Sequence, residues 1–406
     1  MEINNQVYRA LQQHLDTGPV GYPATPSGID ITLLKQLFTP QEAQIAACLS
    51  TIKLEPAVTI HRRVNKAGLS LSLDEFRRLL DVMAGKGIIL VYHEGFKEKH
   101  FKNAGVTAGG IVDFQVNRLT KDLVDTFHQY HVEAFARTEM TGARSVPQLR
   151  TIPVEKSIPL PDKHAVATYD DVRRLLEDSP GPFALANCVC RQTKDIQGQP
   201  CTHSDIRETC LQIGTDHARQ YVEMGIARYV SKEAAYAVLE RAEQAGFILQ
   251  PENSQRPEAI CCCCGDCCAL LSAVVKAPRP AAMYASNYFV TVDSALCKAC
   301  GNCVKRCQLQ ARAISYPPSL SPSPLRGEGL GEGEKRLIST VNLDRCIGCG
   351  NCVVTCESGA TKLVKKPVAL VPPKDKDATF MKIMSGKVGR WNMLILRLKM
   401  MLGMGV

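Results

Sequence analysis

The first third of the chain shows apolar residues at helical spacing, followed by a short strand-like apolar run. Residues 1–30 are polar and rich in turn residues, which predicts an extended lead-in. Three helices are predicted between residues 31 and 87, the last of them starting at the cap residue Ser72. The run from Ile88 to Tyr92 is typical of a strand, and a second strand is expected near Phe101.

Three helices followed by a hairpin resemble a winged helix-turn-helix domain over residues 31–115. In members that bind DNA, the third helix enters the major groove, and its contact residues here would be Arg77 and Arg78. Nine basic and five acidic residues lie between Pro56 and Lys102. This excess is small for a phosphate-binding surface. We therefore favour a winged helix that docks a protein over one that binds DNA.

The middle of the chain is predicted to hold a helical connector and then a second domain. The connector covers residues 116–150, and closely spaced prolines mark its end. Residues 151–288 are predicted to form a cysteine-rich, mostly helical metal-binding domain. Within it, a helix starting after Ser231 and ending at Gly246 would bring two groups of cysteines together.

Two cysteine runs of identical spacing dominate residues 289–366. Each reads C-x2-C-x2-C-x3-C, the spacing of bacterial ferredoxins, in which the fourth cysteine ligates the other cluster. The sequence therefore predicts two [4Fe-4S] clusters, the first held by Cys297, Cys300, Cys303 and Cys356, and the second by Cys346, Cys349, Cys352 and Cys307. Structural zinc is the alternative for such cysteine pairs. Two complete four-cysteine runs argue against it.

The two runs are also an internal repeat, because residues 300–304 return unchanged as residues 349–353. This duplication predicts a ferredoxin-like domain with a pseudo-twofold axis. Gln308 and Glu357 stand where bacterial ferredoxins usually have proline, a departure that touches no ligand. Residues 317–335 are of low complexity and are predicted to form a disordered insert.

Ten cysteines lie in the middle domain, more than one tetrahedral metal site can use. Four of them are successive, and no single metal can use all four because adjacent side chains diverge. An iron–sulfur cluster, zinc and free thiols all remain open as interpretations of this region. His203 and His217 are weaker candidate ligands.

The order of winged helix, C-x-C-R motif, cysteine-dense segment and dicluster resembles a family of anaerobe (Fe-S)-binding proteins. The resemblance implies iron–sulfur binding and electron transfer, and gives an α+β multidomain fold. Cys262 is left out as a ligand because asparagine is common there in the family. The resemblance implies metal-binding roles for Cys188, Cys190, Cys201, Cys210, Cys261, Cys263, Cys264, Cys267 and Cys268.

Composition and charge indicate the cellular environment in which we expect the protein. Nineteen cysteines, mostly in C-x2-C or contiguous runs, are typical of metal ligands in a reducing cell interior. The polar N-terminus lacks a signal-peptide pattern and no apolar run is long enough to span a membrane, so we expect a cytoplasmic protein. A basic amphipathic tail is predicted over residues 367–406, which could contact a membrane surface or a partner.

These patterns lead to an iron–sulfur electron-transfer protein that works with a redox partner or an oxidoreductase complex. No nucleotide-binding or hydrolytic motif is present, so no catalytic residue is predicted and a stand-alone enzyme is disfavoured. The net charge of +9 leaves nucleic acid open as a partner. The alternative is a redox-sensing winged-helix transcription regulator. A complete dicluster unit argues against it, because a sensor needs only one labile cluster.

Overall fold

A computed structural model describes residues 2–106, 110–135, 146–158, 166–316 and 336–401. Helices and strands are mixed, as the sequence predicts. The helices are α1 (Glu2–Thr17), α2 (Ile29–Leu37), α3 (Pro40–Ala46), α4 (Ala57–Lys66), α5 (Leu73–Lys86), α6 (Lys121–Tyr130), α7 (Val172–Glu177), α8 (Val189–Ile196), α9 (Thr215–Glu223), α10 (Lys232–Ala245), α11 (Ala269–Val275), α12 (Pro280–Met283), α13 (Asn302–Arg306), α14 (Asn351–Val354) and α15 (Lys376–Met401). The strands are β1 (Glu55–Pro56), β2 (Ile89–Tyr92), β3 (His100–Asn103), β4 (Phe183–Asn187), β5 (Glu208–Ile213), β6 (Ala227–Val230), β7 (Ile248–Pro251), β8 (Ala259–Cys263), β9 (Tyr288–Val292), β10 (Arg312–Ser315), β11 (Ile338–Val341) and β12 (Thr361–Lys365).

The N-terminal region has helices followed by a small antiparallel sheet of strand order β1-β3-β2. Ser72 and Glu75 cap each other's backbone at the start of α5, and Gly87, with φ 74°, ends that helix. The hairpin of β2 and β3 follows in the predicted place. The helices and the hairpin are therefore confirmed, whereas their assignment to a winged helix stays a prediction.

The extended lead-in predicted for residues 1–30 is wrong for residues 2–17, which form helix α1. Tyr8, Leu11 and Leu15 lie at helical spacing on its buried face. Elsewhere the helix is polar, and its tertiary contacts with α2 and α3 bury the stripe. Because this apolar stripe is narrow, the turn residues at positions 18–28 gave the stronger signal and led to the prediction of an extended segment.

The middle domain is built on a five-stranded antiparallel sheet of order β6-β4-β5-β8-β7, which the prediction of a mostly helical domain missed. Leu211 and Ile260 face a core shared with Leu239 of α10. The opposite sheet face lies toward the N-terminal region, whose core includes Tyr221 and Met224. Helix α10 itself begins after Ser231 and ends at Gly246, as predicted. Cysteines and alanines fill β4 and β8, so neither strand shows a clear alternating pattern.

The C-terminal dicluster region is duplicated in structure as well as in sequence. Strand β9 pairs with β12, and β10 with β11, both antiparallel. Helices α13 and α14 each follow a left-handed glycine, Gly301 with φ 79° and Gly350 with φ 78°. The predicted pairing of strands across the insert is confirmed. The insert itself, residues 317–335, lies outside the described residues.

Helix α15 ties the C-terminus to both other regions. The buried Lys376 Nζ lies 2.9 Å from Glu258 Oε2 and 3.3 Å from Glu252 Oε1 in the middle domain. Lys387 Nζ donates to Gly18 O in the N-terminal region at 3.0 Å. The helix breaks at Gly389, and the side chains beyond, including the predicted amphipathic face, lie outside the described residues. None of the described helices has the length and apolar character needed to cross a bilayer.

Candidate metal centres

The thiols of the second cysteine run lie together, with one thiol from the first run among them. Cys307 lies close enough to the second run that, in addition to burial, Cys346 raises its pKa, and Cys307 in turn raises the pKa of Cys349 and Cys352. Burial raises the pKa of Cys307, and raises that of Cys349 to about 12. Apolar surroundings of this kind suit a thiolate only when a cation compensates its charge. The structure thus places Cys307 beside the run that does not contain it in sequence.

The other fourth cysteine, Cys356, packs in a small cluster with Cys297 of the first run. Backbone amides point at the sulfurs in both halves. Ala311 N donates to Cys307 Sγ and Thr361 N to Cys356 Sγ, each at 3.3 Å. Burial opposes ionisation of Cys356, but the Thr361 amide holds the pKa of this thiol below its ordinary value. Hydrogen bonds to sulfur are among the factors that set cluster potentials, so this chemistry fits two [4Fe-4S] clusters.

Close backbone approach in the second loop explains two of its glycines. A side chain at Gly350 would lie 2.1 Å from Ser157 Oγ, and one at Gly348 would lie 2.2 Å from Tyr288 O. Cys349 O accepts from Val154 N at 3.0 Å. The loop of the second run is therefore covered by the start of the middle domain, whereas Cys300 of the first run is exposed.

Six middle-domain cysteines form a second assembly, called here the six-thiol group. Its members are Cys188, Cys190, Cys210, Cys261, Cys263 and Cys268. Each thiol influences the pKa of its neighbours, in the order 188, 190, 268, 263, 261 and 210. They come from the end of β4, the starts of α8 and α11, and strands β5 and β8, where Cys210 lies directly opposite Cys261. The sheet and two helix starts therefore converge on one sulfur-rich surface.

The six-thiol group lines a cavity of about 640 Å³ between the sheet and the end of α6, and the wall of this cavity also includes Cys262, Cys264, Asp266 and Cys267. Phe127 and His131 form part of the far wall, and Lys194 and Lys276 also line it. Burial lowers the pKa of His131 to about 4, so its imidazole is neutral at physiological pH. Sequence reasoning assigned this histidine no role, because only the fold brings it near the cysteines.

The thiols of the six-thiol group differ from one another in pKa. The thiols of Cys190 and Cys263 lower the pKa of Cys268 to about 5. Hydrogen bonds from Cys210 and Cys263 hold the pKa of Cys261 well below its usual value. The thiolate is the form that binds metals, so these interactions favour the metal-binding form of Cys261 and Cys268.

A more compact group, called here the loop site, lies where the loop before β5 meets the turn after β8. Its members are Cys201, Cys264, Asp266 and Cys267, whose ligand atoms all lie within 4.8 Å of one another. Hydrogen bonding from Cys267 lowers the pKa of Cys264 to about 7. Sequence reasoning missed Asp266, although its place between two cysteines was a signal that could have found it.

The nine predicted metal-binding cysteines therefore separate into six and three. Within β8, successive residues face opposite ways. Cys261 and Cys263 pack in one apolar cluster, and the side chain of Cys262 packs in another, together with Cys264 and Cys267. His203 Nε2 lies 3.8 Å from Asp266 Oδ1, whereas the buried His217 lies near Glu258, away from both groups.

A buried guanidinium lies between the two groups. Arg191 is fully buried, donates to Thr209 Oγ1 at 2.6 Å and to Cys262 O at 2.7 Å, and stacks 3.8 Å above the Phe247 ring. Burial acts against its charge, but the neighbouring thiols of Cys188 and Cys264 raise its pKa. A buried charge needs compensation, so this arginine fits a site that carries negative charge.

Gln308 joins the dicluster region to the loop site. Its Oε1 accepts from Gly265 N at 2.6 Å, and its Nε2 donates to Gly246 O. This is one of the two positions where the chain departs from the ferredoxin pattern. Cys307 beside it shares an apolar cluster with Cys263 and Cys268 of the six-thiol group.

Two arginines of the predicted winged helix lie beside carboxylates. Arg63 pairs with Glu55, and Arg77 lies 3.5 Å from Asp74 and 3.8 Å from Glu98. Carboxylates at these positions compete with phosphate for the arginines. Nucleic-acid binding by this region stays a prediction.

Comparison with known families identifies one region of the chain. Residues 289–357 match the model of the 4Fe-4S dicluster domain. No curated protein matches the chain. The match covers the two cysteine runs and supports iron–sulfur electron transfer in general terms. It does not extend to the six-thiol group or the loop site.

Proposed function

We propose that the protein carries electrons between a partner oxidoreductase and a further iron–sulfur centre held by the six-thiol group. Bound [4Fe-4S] clusters accept and donate single electrons. The observation that carries the proposal is one continuous apolar core. It contains Cys303, Cys307, Cys346 and Cys352 of the dicluster region together with Cys263 of the six-thiol group.

The six-thiol group has the composition that an iron–sulfur centre requires. Thiolates are soft ligands that select iron–sulfur clusters, zinc or copper(I). A cubane is held by four cysteines, so two of the six thiols around the cavity would not be ligands. The sulfurs border a space of about 640 Å³, far larger than a single ion fills. The Arg191 guanidinium supplies positive charge beside them.

The exposed side of the dicluster region supports an acidic partner. Cys300 is exposed in the first loop, and the exposed residues Lys298 and Lys305 flank it. The second loop is instead covered by Val154 and Ser157 of the middle domain. Electrons would therefore enter or leave through the first loop. Complementary charge would guide an acidic redox protein to it and make association faster at low salt.

Metal analysis of the full-length protein tests the proposal. After anaerobic purification we expect about twelve irons per chain, eight in the dicluster domain and four in the six-thiol group. Four of the six thiols suffice for a cubane, so the triple variant Cys261→Ser, Cys263→Ser and Cys268→Ser, which leaves three, should reduce the content to about eight. Cys262→Ala is the matched control, because this cysteine lies on the same strand and faces the apolar core. Its iron content should stay that of the wild type.

About eight irons in the wild type, unchanged in the triple variant, would refute the third centre and leave a dicluster protein. Full-length variants are preferred to a truncated chain. Arg306 and Gln308 of the dicluster region bond to the backbone at residues 243–246, so truncation would also disturb the middle domain.

A further inference from the structure

The ligand atoms of the loop site are as closely spaced as those around a single metal ion. Cys201 Sγ and Cys264 Sγ lie 3.6 Å apart, and Cys201 Sγ lies 3.9 Å from Asp266 Oδ1. Tetrahedral zinc with bonds of about 2.3 Å to sulfur places neighbouring sulfurs about 3.8 Å apart. Cys264 and Cys267 also have the C-x2-C spacing of zinc sites. Thiols around a cubane lie further apart, since each binds a different iron.

We propose that the loop site binds one zinc ion through Cys201, Cys264, Cys267 and Asp266, independently of any cluster in the six-thiol group. The inference goes beyond electron transfer and does not depend on it. Three thiolates and one carboxylate match the ligand types and the number that zinc takes in a closed structural site.

The carboxylate is already oriented for this role. Asp266 Oδ2 accepts from Thr202 N at 2.8 Å and from Thr202 Oγ1 at 2.9 Å, which leaves Oδ1 on the side of Cys201. Such outer contacts fix the direction of a metal ligand and raise affinity. His203 lies next to the same oxygen at 3.8 Å and would be a neighbour of the ion rather than a ligand.

A zinc ion here would strengthen the connection between two loops that Thr202 and Asp266 already join by hydrogen bonds. It would attach residues 197–206 to the turn at residues 264–267. The same turn presents its Gly265 amide to Gln308 and passes directly into Cys268, a member of the six-thiol group. The ion would thus hold the junction between the middle domain and the dicluster region.

Elemental analysis of the full-length protein, purified anaerobically, is the first test. We expect about one zinc per chain besides the iron, with zinc X-ray absorption showing three sulfur ligands and one oxygen ligand. Cys201→Ser should lose zinc and keep its iron. Thr202→Val keeps all four ligands and should weaken zinc binding by about 10–100-fold in chelator competition. Cys48→Ser, a cysteine outside both groups, is the control and should keep its zinc.

Two further variants test whether a loss of zinc results from misfolding. Asp266→Asn should reduce zinc affinity with iron unchanged, and His203→Ala should leave zinc binding intact. Zinc retained in both Cys201→Ser and Asp266→Asn would overturn the site, as would iron in place of zinc at this position. About eight irons per chain in the wild type, with one zinc retained, would refute the iron–sulfur centre at the six-thiol group and leave the zinc site standing.

Discussion

Gln308→Ala offers a direct test of the junction between the dicluster region and the middle domain. The substitution removes the acceptor for Gly265 N, 2.6 Å away, and the donor to Gly246 O. Leaving a buried polar group unpaired costs about 1–3 kcal/mol. Gly265 is partly exposed, so water can replace part of the lost bond. We therefore expect about 1–2 kcal/mol of lost local stability at this amide.

Amide hydrogen exchange measures this loss at the residue concerned. A change of 1–2 kcal/mol corresponds to about 5–30-fold faster exchange of the Gly265 amide. Gln308→Glu separates the two contacts, because the carboxylate still accepts from Gly265 N but opposes the carbonyl of Gly246. We expect near-normal protection of Gly265 in that variant, with a loosened end of α10.

Glu357→Ala is the matched control for Gln308→Ala. Glu357 occupies the equivalent position in the second repeat and is exposed. Its substitution should leave exchange at Gly265 unchanged. Equal exchange at Gly265 in Gln308→Ala and Glu357→Ala would show that the side chain does not hold the junction, and the reasoning from these two hydrogen bonds would be wrong.

Three further predictions address charge and ligation. Arg191→Met should lower stability by about 3–5 kcal/mol and reduce metal content, since it leaves buried thiolates uncompensated; an unchanged thermal midpoint would contradict this. Cys307→Ser should remove about four irons and alter the electron paramagnetic resonance signal of the second cluster; a change confined to the first cluster would refute the exchange of ligands. Burial opposes ionisation of Glu258, but the Lys376 ammonium holds its pKa at about 2. Its carboxylate therefore stabilises docking of α15 above the unfolded pKa of about 4.3, and this contribution is lost as the pH falls toward 2. Glu258→Gln should remove that acid transition from the fluorescence anisotropy of Trp391, the single tryptophan; the same transition in both proteins would count against the pair.

Local signals explain what could be predicted from the sequence. The cysteine runs, the caps at Ser72 and Ser231, and the strands on either side of the insert depend on residues close together in the chain. The likeness of the two runs predicted the repeat. Each of these features needs only spacing or a cap residue, which can be read without knowing the fold.

Features that depend on distant contacts could not be predicted in the same way. Helix α1 owes its stability to burial of a narrow stripe against α2 and α3. The loop site joins Cys201 to a turn more than sixty residues later. The role of Gln308 appears only when Gly246 and Gly265 lie beside it. Sequence alone showed that adjacent cysteines diverge, but the sheet was needed to show where each one points.

The register of β8 decides which of its successive cysteines lie with the thiols of the other elements. A slip of one residue turns every side chain of a strand to the opposite face. In a slipped β8, the side chain of Cys262 would point toward the six-thiol group and those of Cys261 and Cys263 into the core, so cysteine alone does not distinguish the two alignments. Ile260, which is fully buried in the core, does distinguish them, because the slip would move it among the thiols. An apolar residue thus determines which thiols of this strand belong to the six-thiol group.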